Sequence, residues 1–226
     1  MKTMQDNSDW PGWPLDNNPF GSDFDSTARK RMIRGSRMLM PFLKKHDKEL
    51  GDVILEVGPF FNPLVTPEEL RSKVIFFWEN DRHVMSWLSR NNRGKTVFPI
   101  FCDLNKIEGT SLLKLKLETL FCFKKAGIKE AFFDSVVISH VFNYIDYKLF
   151  LMVLKEFLKK DSLIFINNSV NYGLPAFFSE KRPKNIPEII RTLNETGYEI
   201  IEKKIFDSPD KKHQENKRLI VVAKNK

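Results

Sequence analysis

Residues 53–63 read VILEVGPFFNP: five residues of apolar run around one acid, then Gly58, then a loop rich in aromatics and proline. A short apolar run rich in branched side chains and closed by glycine and proline predicts a buried strand over Val53–Val57. The same pattern recurs along the chain. Val74–Trp78 predicts a second strand, Thr96–Phe101 a third, Asp134–Ser139 a fourth and Ser162–Asn167 a fifth. Helical signals separate them. Thr66-Pro67-Glu68-Glu69 supplies a cap, a proline at the first helical position and acids in the first turn. Val84, Met85, Trp87 and Leu88 sit at helical spacing, and a Leu-rich helix is expected from about Ser111 to Lys125, ending at Gly127. Further helices are expected over Leu149–Leu158 and over Pro187–Glu195, with Gly197 just past the end of the latter. Alternation of strand and helix predicts a parallel sheet covered on both faces. Two β-rich runs, Tyr198–Phe206 and Arg218–Ala223, close the chain around the polar connection DSPDKKHQENK and must run antiparallel to each other.

Working outward, 226 residues suit one α/β domain, expected over 51–226, with an N-terminal extension over 1–50. The 42% hydrophobic content and the twenty phenylalanines fit a packed core that needs no disulfide or metal. Cys102 and Cys122 each lie in an apolar run and read as reduced, buried thiols; no Cys/His cluster suggests a metal. No apolar run approaches the ~20 residues that cross a bilayer, and the N-terminus lacks the apolar core of a signal peptide. A cytoplasmic chain without a membrane partner is the expectation. The net charge of +8 favours anionic partners, although the basic residues are spread along the chain. Residues 1–25 are polar yet carry Trp10, Trp13, Phe20 and Phe24, more aromatics than a plain linker holds. Ser26 then reads as the cap of a helix with Met32, Ile33, Leu39, Phe42 and Leu43 on its core face, interrupted by Pro41, and with Arg29, Lys30, Arg31, Arg34 and Arg37 clustered on it.

In an open α/β sheet a ligand lies outside the carboxyl ends of the strands, beside the first one. The residues just after each strand are therefore the informative ones. Glu79 follows the second strand about 20 positions beyond the glycine turn, where an acid accepts hydrogen bonds from ribose hydroxyls. It is preferred over Asp81 because it comes directly off the apolar run. Asp103 follows the third strand and is placed for an adenine amine.

Taken together, EVGPFFNP (56–63), FFWEND (76–81), FCDL (101–104), FDSVVISHVFNYID (133–146) and DSLIFINN (161–168) resemble motifs I to V of class I S-adenosylmethionine-dependent methyltransferases. EIIEKKIF (199–206) and RLIVVAK (218–224) resemble that family's terminal β-hairpin. The resemblance spans 52–226. It implies a Rossmann-like three-layer sandwich whose seven-stranded sheet is mostly parallel with one antiparallel C-terminal strand. It also implies S-adenosyl-L-methionine as cofactor and S-adenosyl-L-homocysteine as product. Carried over by position, Glu56 and Gly58 line the methionine end, with Pro59, Phe60 and Asn62 in the same loop. Glu79 and Asn80 hold the ribose, Asp103 and Leu104 the adenine, and Ser139 and His140 sit under the cofactor. The glycine turn keeps only Gly58, as in an E-x-G-x-x-x-N-P variant of the motif. That lone glycine counts against a nicotinamide dinucleotide, whose pyrophosphate requires G-x-G-x-x-G.

Methyl transfer depends mainly on alignment and exclusion of water. A base is required only where the acceptor must lose a proton, and His140 is the candidate, with Tyr144 and Asn143 in the same loop to orient the acceptor. His46, His83 and His213 are expected on helix or loop surfaces. The fourth strand ends in Ser139-His140-Val141-Phe142, without the Asn/Asp-Pro-Pro-aromatic run of amine-methylating nucleic-acid enzymes. Neither cysteine is placed as the nucleophile of cytosine C5 methylation. The segment Val170–Lys184 is longer than the roughly two-to-six-residue connections usual in α/β units. Tyr172, Phe177 and Phe178 within it, with Trp10, Trp13 and Arg34, are expected to wall an acceptor pocket. The favoured function is methyl transfer to an O or N nucleophile of a small molecule. RNA or protein methylation, and cofactor binding without catalysis, are the alternatives.

Overall fold

The computed structural model describes residues 34–59, 63–65, 73–91, 96–170, 178–207 and 217–226. The chain divides into two units, Met1–Gly35 and Ser36–Lys226, and nearly everything described belongs to the second. Most of the helix expected from Ser26, and the helix start at Thr66-Pro67-Glu68-Glu69, fall outside the described residues.

Strand β1 (Val53–Val57) is buried at all five positions, as a central strand covered on both faces must be. It pairs in parallel with β2 (Val74–Glu79) on one side and with β4 (Phe133–Ser139) on the other. β3 (Val97–Phe101) lies outside β2, and β5 (Leu158–Ser169) outside β4, again in parallel. β7 (Arg218–Asn225) runs antiparallel between β5 and β6 (Tyr198–Phe206). The sheet order is β3-β2-β1-β4-β5-β7-β6. This is the expected seven-stranded, mostly parallel sheet with β7 as its one reversed strand.

The helices follow the strands. α1 (Met40–Lys45) precedes β1, and Pro41 stands in its first turn, where the missing N–H costs no hydrogen bond. Residues 34–37 are helical and 38–39 form a turn, so the expected interruption falls just before Pro41, which stands in the first turn of the next helix. α2 (Arg82–Asn91) follows β2, α3 (Gly109–Lys125) follows β3, α4 (Tyr147–Leu154) follows β4 and α5 (Ile186–Glu195) follows β5. The core is strongly aromatic: the Phe76 ring stacks on Phe123 at 4.6 Å and on Phe98 at 5.3 Å.

Two expectations are corrected. β5 begins at Leu158 and not at Ser162. Its first residues pair with β4 through Phe133–Leu158, the register then slips, and Asp161 turns the backbone at φ 66°. His46, expected on the surface, is buried. It stands four residues after Phe42 and so shares that residue's core-facing side; its ring packs edge-on to Phe165 and its nitrogens meet Glu49 and Glu202. No helix among the described residues is long and apolar enough to cross a membrane.

Candidate functional site

The chain turns at the carboxyl ends of β1 and β4 on Gly58. This residue leaves β1 at φ 61°, a left-handed conformation that costs an L residue with a side chain roughly 1–2 kcal/mol. Its N–H donates to the carbonyl of Trp78 at 2.8 Å, tying the turn to the end of β2. A Cβ here would come within 2.8 Å of the Val141 Cγ2 in the loop after β4. Glycine is therefore required by the meeting of three strand ends, before any ligand is considered.

Glu56, the last but one residue of β1, is buried, with only 1% of its surface exposed. Its carboxylate accepts the Leu64 amide at 2.9 and 3.0 Å and the Val65 amide at 2.9 Å. It holds the far end of the loop that Gly58 begins. Pro59 is buried beside it, while Phe60 and Asn62 lie outside the described residues.

At the end of β2, Glu79 is buried and its Oε1 accepts the amides of Asn80 at 2.8 Å and Asp81 at 3.1 Å. Its main-chain carbonyl receives the amide of Cys102 at 2.9 Å, which fixes the end of β3 against it. Asp81 turns away to cap α2, accepting the amides of His83 and Val84. That use of Asp81 leaves Glu79 as the acid of the β2 tip. Asp103 caps the short 3-10 turn Leu104–Lys106 through the Asn105 amide at 3.1 Å, with the Lys106 ammonium at 3.3 Å. Leu104 is buried beneath it and Asn80 is exposed. The Asn105 amide group then reaches the Tyr144 carbonyl at 3.2 Å, so the loop after β3 extends past β2 and β1 to the loop after β4.

The β4 loop opens at Ser139 and His140. His140 adopts φ 61° and its N–H donates to the Asn167 carbonyl at 2.8 Å. Both imidazole nitrogens are shut away from solvent although the residue keeps some accessible surface. Burial, helped by the nearby Arg218 guanidinium, pushes the ring down from 6.5 to about 3. The ring is thus neutral at physiological pH, but it holds a proton too weakly for efficient general-base work. Asn143 is fully buried; its side-chain amide donates to the Ser169 carbonyl at 2.8 Å and its own carbonyl accepts Ser179 at 2.9 Å. It binds loops together. Tyr144 remains partly exposed and its ring meets Phe178 at 5.8 Å, with the Arg182 guanidinium 5.1 Å over the Phe178 ring.

Gly58, Glu79, Asp103, Ser139 and His140 thus come from four strands to one edge of the sheet. Arg34 is exposed on a helical turn. Trp10, Trp13, Tyr172 and Phe177 lie outside the described residues.

Sequence reasoning missed a buried polar group beside His140. Arg218 is almost fully enclosed, donating from Nε to the Ser169 Oγ at 2.9 Å and from Nη1 to the Met38 sulfur at 3.1 Å. Asn167 contacts the Ser139 hydroxyl at 3.4 Å, and the neighbouring Asn168 carboxamide is buried with no hydrogen-bond partner. The available signal was the run Asn167-Asn168-Ser169, three polar residues directly after the apolar run Leu163–Ile166.

No family model matches this sequence, and no curated protein matches it in sequence. Solved structures are similar in shape. The [4+2]-cyclase SpnF superposes with a TM-score of 0.62 at 10% identity, covering 84% of this chain and 80% of its own. An S-adenosylmethionine-dependent methyltransferase from Mesorhizobium loti gives 0.60 at 10% identity, covering 85% and 100%. A 1,6-didemethyltoxoflavin-N1-methyltransferase from Burkholderia thailandensis, solved with 1,6-didemethyltoxoflavin and S-adenosylhomocysteine, gives 0.59 at 14% identity, covering 88% and 81%. The protein therefore has the Rossmann-like fold of class I S-adenosylmethionine-dependent methyltransferases.

Proposed function

We propose that this chain binds S-adenosylmethionine across the carboxyl ends of β1 to β4 and directs its methyl group to an O or N nucleophile of a small molecule. The observation that carries the reading is the Glu79 carboxylate. It is buried at the tip of β2 with Oε1 fixed by two amides of its own loop, so one carboxylate is oriented beside the Gly58 turn. The donor set suits the cofactor: Glu79 for the ribose hydroxyls, Asp103 for the adenine amine, and a loop fastened by Glu56 for the methionine end. When bound, S-adenosylmethionine supplies a methyl group on a positively charged sulfur, which needs no metal activation.

The residues of this chain then have distinct tasks. The Gly58 turn and the Glu56-held loop shape one wall, and the Asn105–Tyr144 tie joins the loops after β3 and β4 across the strand ends. His140, neutral and enclosed, shapes the floor of the site; with so weak a hold on a proton it is a positioning residue here and not the base. Tyr144 is the partly exposed polar group of the β4 loop and is assigned to orient the acceptor. The 1,6-didemethyltoxoflavin bound to the Burkholderia enzyme supports a small-molecule acceptor. The likeness to a [4+2]-cyclase favours one second reading, in which the same fold serves a reaction other than methyl transfer.

Calorimetric titration with S-adenosylmethionine and S-adenosylhomocysteine tests the first step. Glu79→Ala should weaken either ligand by about 1–3 kcal/mol, the loss of hydrogen bonds to a charged group. Unchanged affinity in that variant removes Glu79 from the site. Tight binding of both ligands with no methylated product from any acceptor tried would favour the second reading.

A further inference from the structure

Helix α3 (Gly109–Lys125) is apolar on two opposite sides. Leu115, Thr119 and Phe123 are its buried residues. On the other side, Leu113, Leu117, Leu120 and Phe121 are 57%, 58%, 39% and 67% exposed. At about 100° of rotation per residue these four fall in one arc of roughly 100°, centred about 150° from the middle of the buried face. A surface helix of a globular protein ordinarily carries polar residues there. The stripe is bordered by lysines: Lys114 and Lys125 lie along one flank, Lys116 along the other, and Lys124 closes the last turn. Residues 109–130 hold five lysines (114, 116, 124, 125 and 129) against two glutamates (118 and 130). Glu118 pairs with Lys114 on the same helix, and Lys116 pairs with Glu156.

Charge selects the occupant. A second copy of the chain would bring lysine-rich rims against each other. An anionic bilayer suits both the apolar stripe and its basic rims. Leucine and phenylalanine enter the boundary between headgroups and acyl chains, and the flanking lysines extend their stems along the apolar stripe with ammonium groups at phosphate level. We propose that the outer face of α3 is a docking surface for an anionic phospholipid membrane, on which the helix lies in the interfacial plane. This surface does not depend on the proposed methyl transfer.

Flotation of the full chain with unilamellar vesicles tests it. One set is phosphatidylcholine alone, and the other contains roughly one-third phosphatidylserine. Association with the anionic vesicles should exceed association with the neutral ones by about tenfold or more, and should weaken in roughly 0.5 M salt. Leu117→Ser/Phe121→Ser should lower anionic-vesicle binding by about tenfold or more, since two exposed apolar side chains no longer insert. Both positions are exposed, so its unfolding midpoint should match that of the wild type. Lys114→Glu/Lys125→Glu keeps the apolar stripe and should lose the preference for phosphatidylserine. Failure of the wild-type chain to bind anionic vesicles overturns the proposal. So does a concentration-dependent dimer, seen by sedimentation without vesicle binding and abolished by Leu117→Ser/Phe121→Ser, which reassigns the face to a second copy.

Discussion

Replacing Glu56 by alanine removes the acceptor of two buried amides. The Leu64 and Val65 N–H groups have residues 2% and 0% exposed around them, and their hydrogen bonds to the Glu56 carboxylate measure 2.9 to 3.0 Å. An orphaned buried donor costs about 1–3 kcal/mol, and bonds to a charged acceptor sit toward the upper end. Two such donors give about 3–5 kcal/mol, the smaller figure applying if water enters the space left by the side chain. For a chain of this size, about 4 kcal/mol corresponds to a fall in Tm of roughly 8–16 °C. Urea denaturation followed by circular dichroism measures it; the midpoint should fall with the slope nearly unchanged. Glu56→Gln keeps one carbonyl oxygen for the two amides and should lose only about 1–3 kcal/mol. A Glu56→Ala protein that loses less than about 1 kcal/mol would refute the reasoning, because the loop after β1 would then be held by something else.

Three further outcomes are expected. Gly58→Ala combines a left-handed backbone with a Cβ 2.8 Å from the Val141 Cγ2 and should destabilise by about 2–3 kcal/mol; in a Val141→Ala background the added cost should shrink by about 1 kcal/mol, and an undiminished cost would point to the backbone alone. His140 is held near 3 against an ordinary value of 6.5, so between those pH values the unfolded chain binds a proton that the folded chain refuses. Its contribution is complete above about pH 6.5 and is lost as pH falls toward 3, by a few kcal/mol at most; denaturation at pH 4.5 and 7 should show a shallower acid loss in His140→Asn, a residue that tolerates the left-handed backbone, and an identical slope would contradict the burial of the ring. Burial, with Asp103 adding to it, raises the Cys102 thiol to about 12, and burial raises Cys122 as well. Both should resist a thiol reagent at pH 8 in the folded protein, with Cys122 the faster because it is only half-buried, and rapid reaction of Cys102 would show that the β3 end opens.

The fold was largely legible because buried parallel strands announce themselves as short apolar runs. Val53–Val57 and Tyr198–Phe206 were readable to the residue, and the reversed β7 followed from the polar connection before it. The start of β5 was not. Leu158 reads as the end of a helix and Lys159-Lys160-Asp161 as a loop, because all three of those side chains are charged, yet Leu158 pairs with Phe133 before the bend at Asp161. Backbone pairing at the frayed start of a strand leaves no mark on side-chain hydrophobicity. In the site, topology brings strand-end residues together whatever their chemistry, so Gly58, Glu79, Asp103 and His140 could be placed from sequence. Their individual tasks could not. A buried glutamate in a strand gives no sign in the sequence that it fastens a loop, and only the bonds from the Leu64 and Val65 amides show that Glu56 does so.

The same limit explains why α3 reads from the sequence only as a Leu-rich helix. In LLKLKLETLFCFKK the leucines recur so densely that apolar residues point to both sides, and helical periodicity weakens when two opposite faces are apolar. Which leucines face the core depends on where β3 delivers the helix onto the sheet, a tertiary fact. Once Leu115 and Phe123 are fixed inside, Leu117 and Phe121 are committed to the outside by geometry, at the cost of exposing them to water. The absence of a spanning segment speaks only to crossing a bilayer. A helix that lies on the surface needs no long apolar run, because one lysine-edged arc of a domain already folded for another purpose suffices.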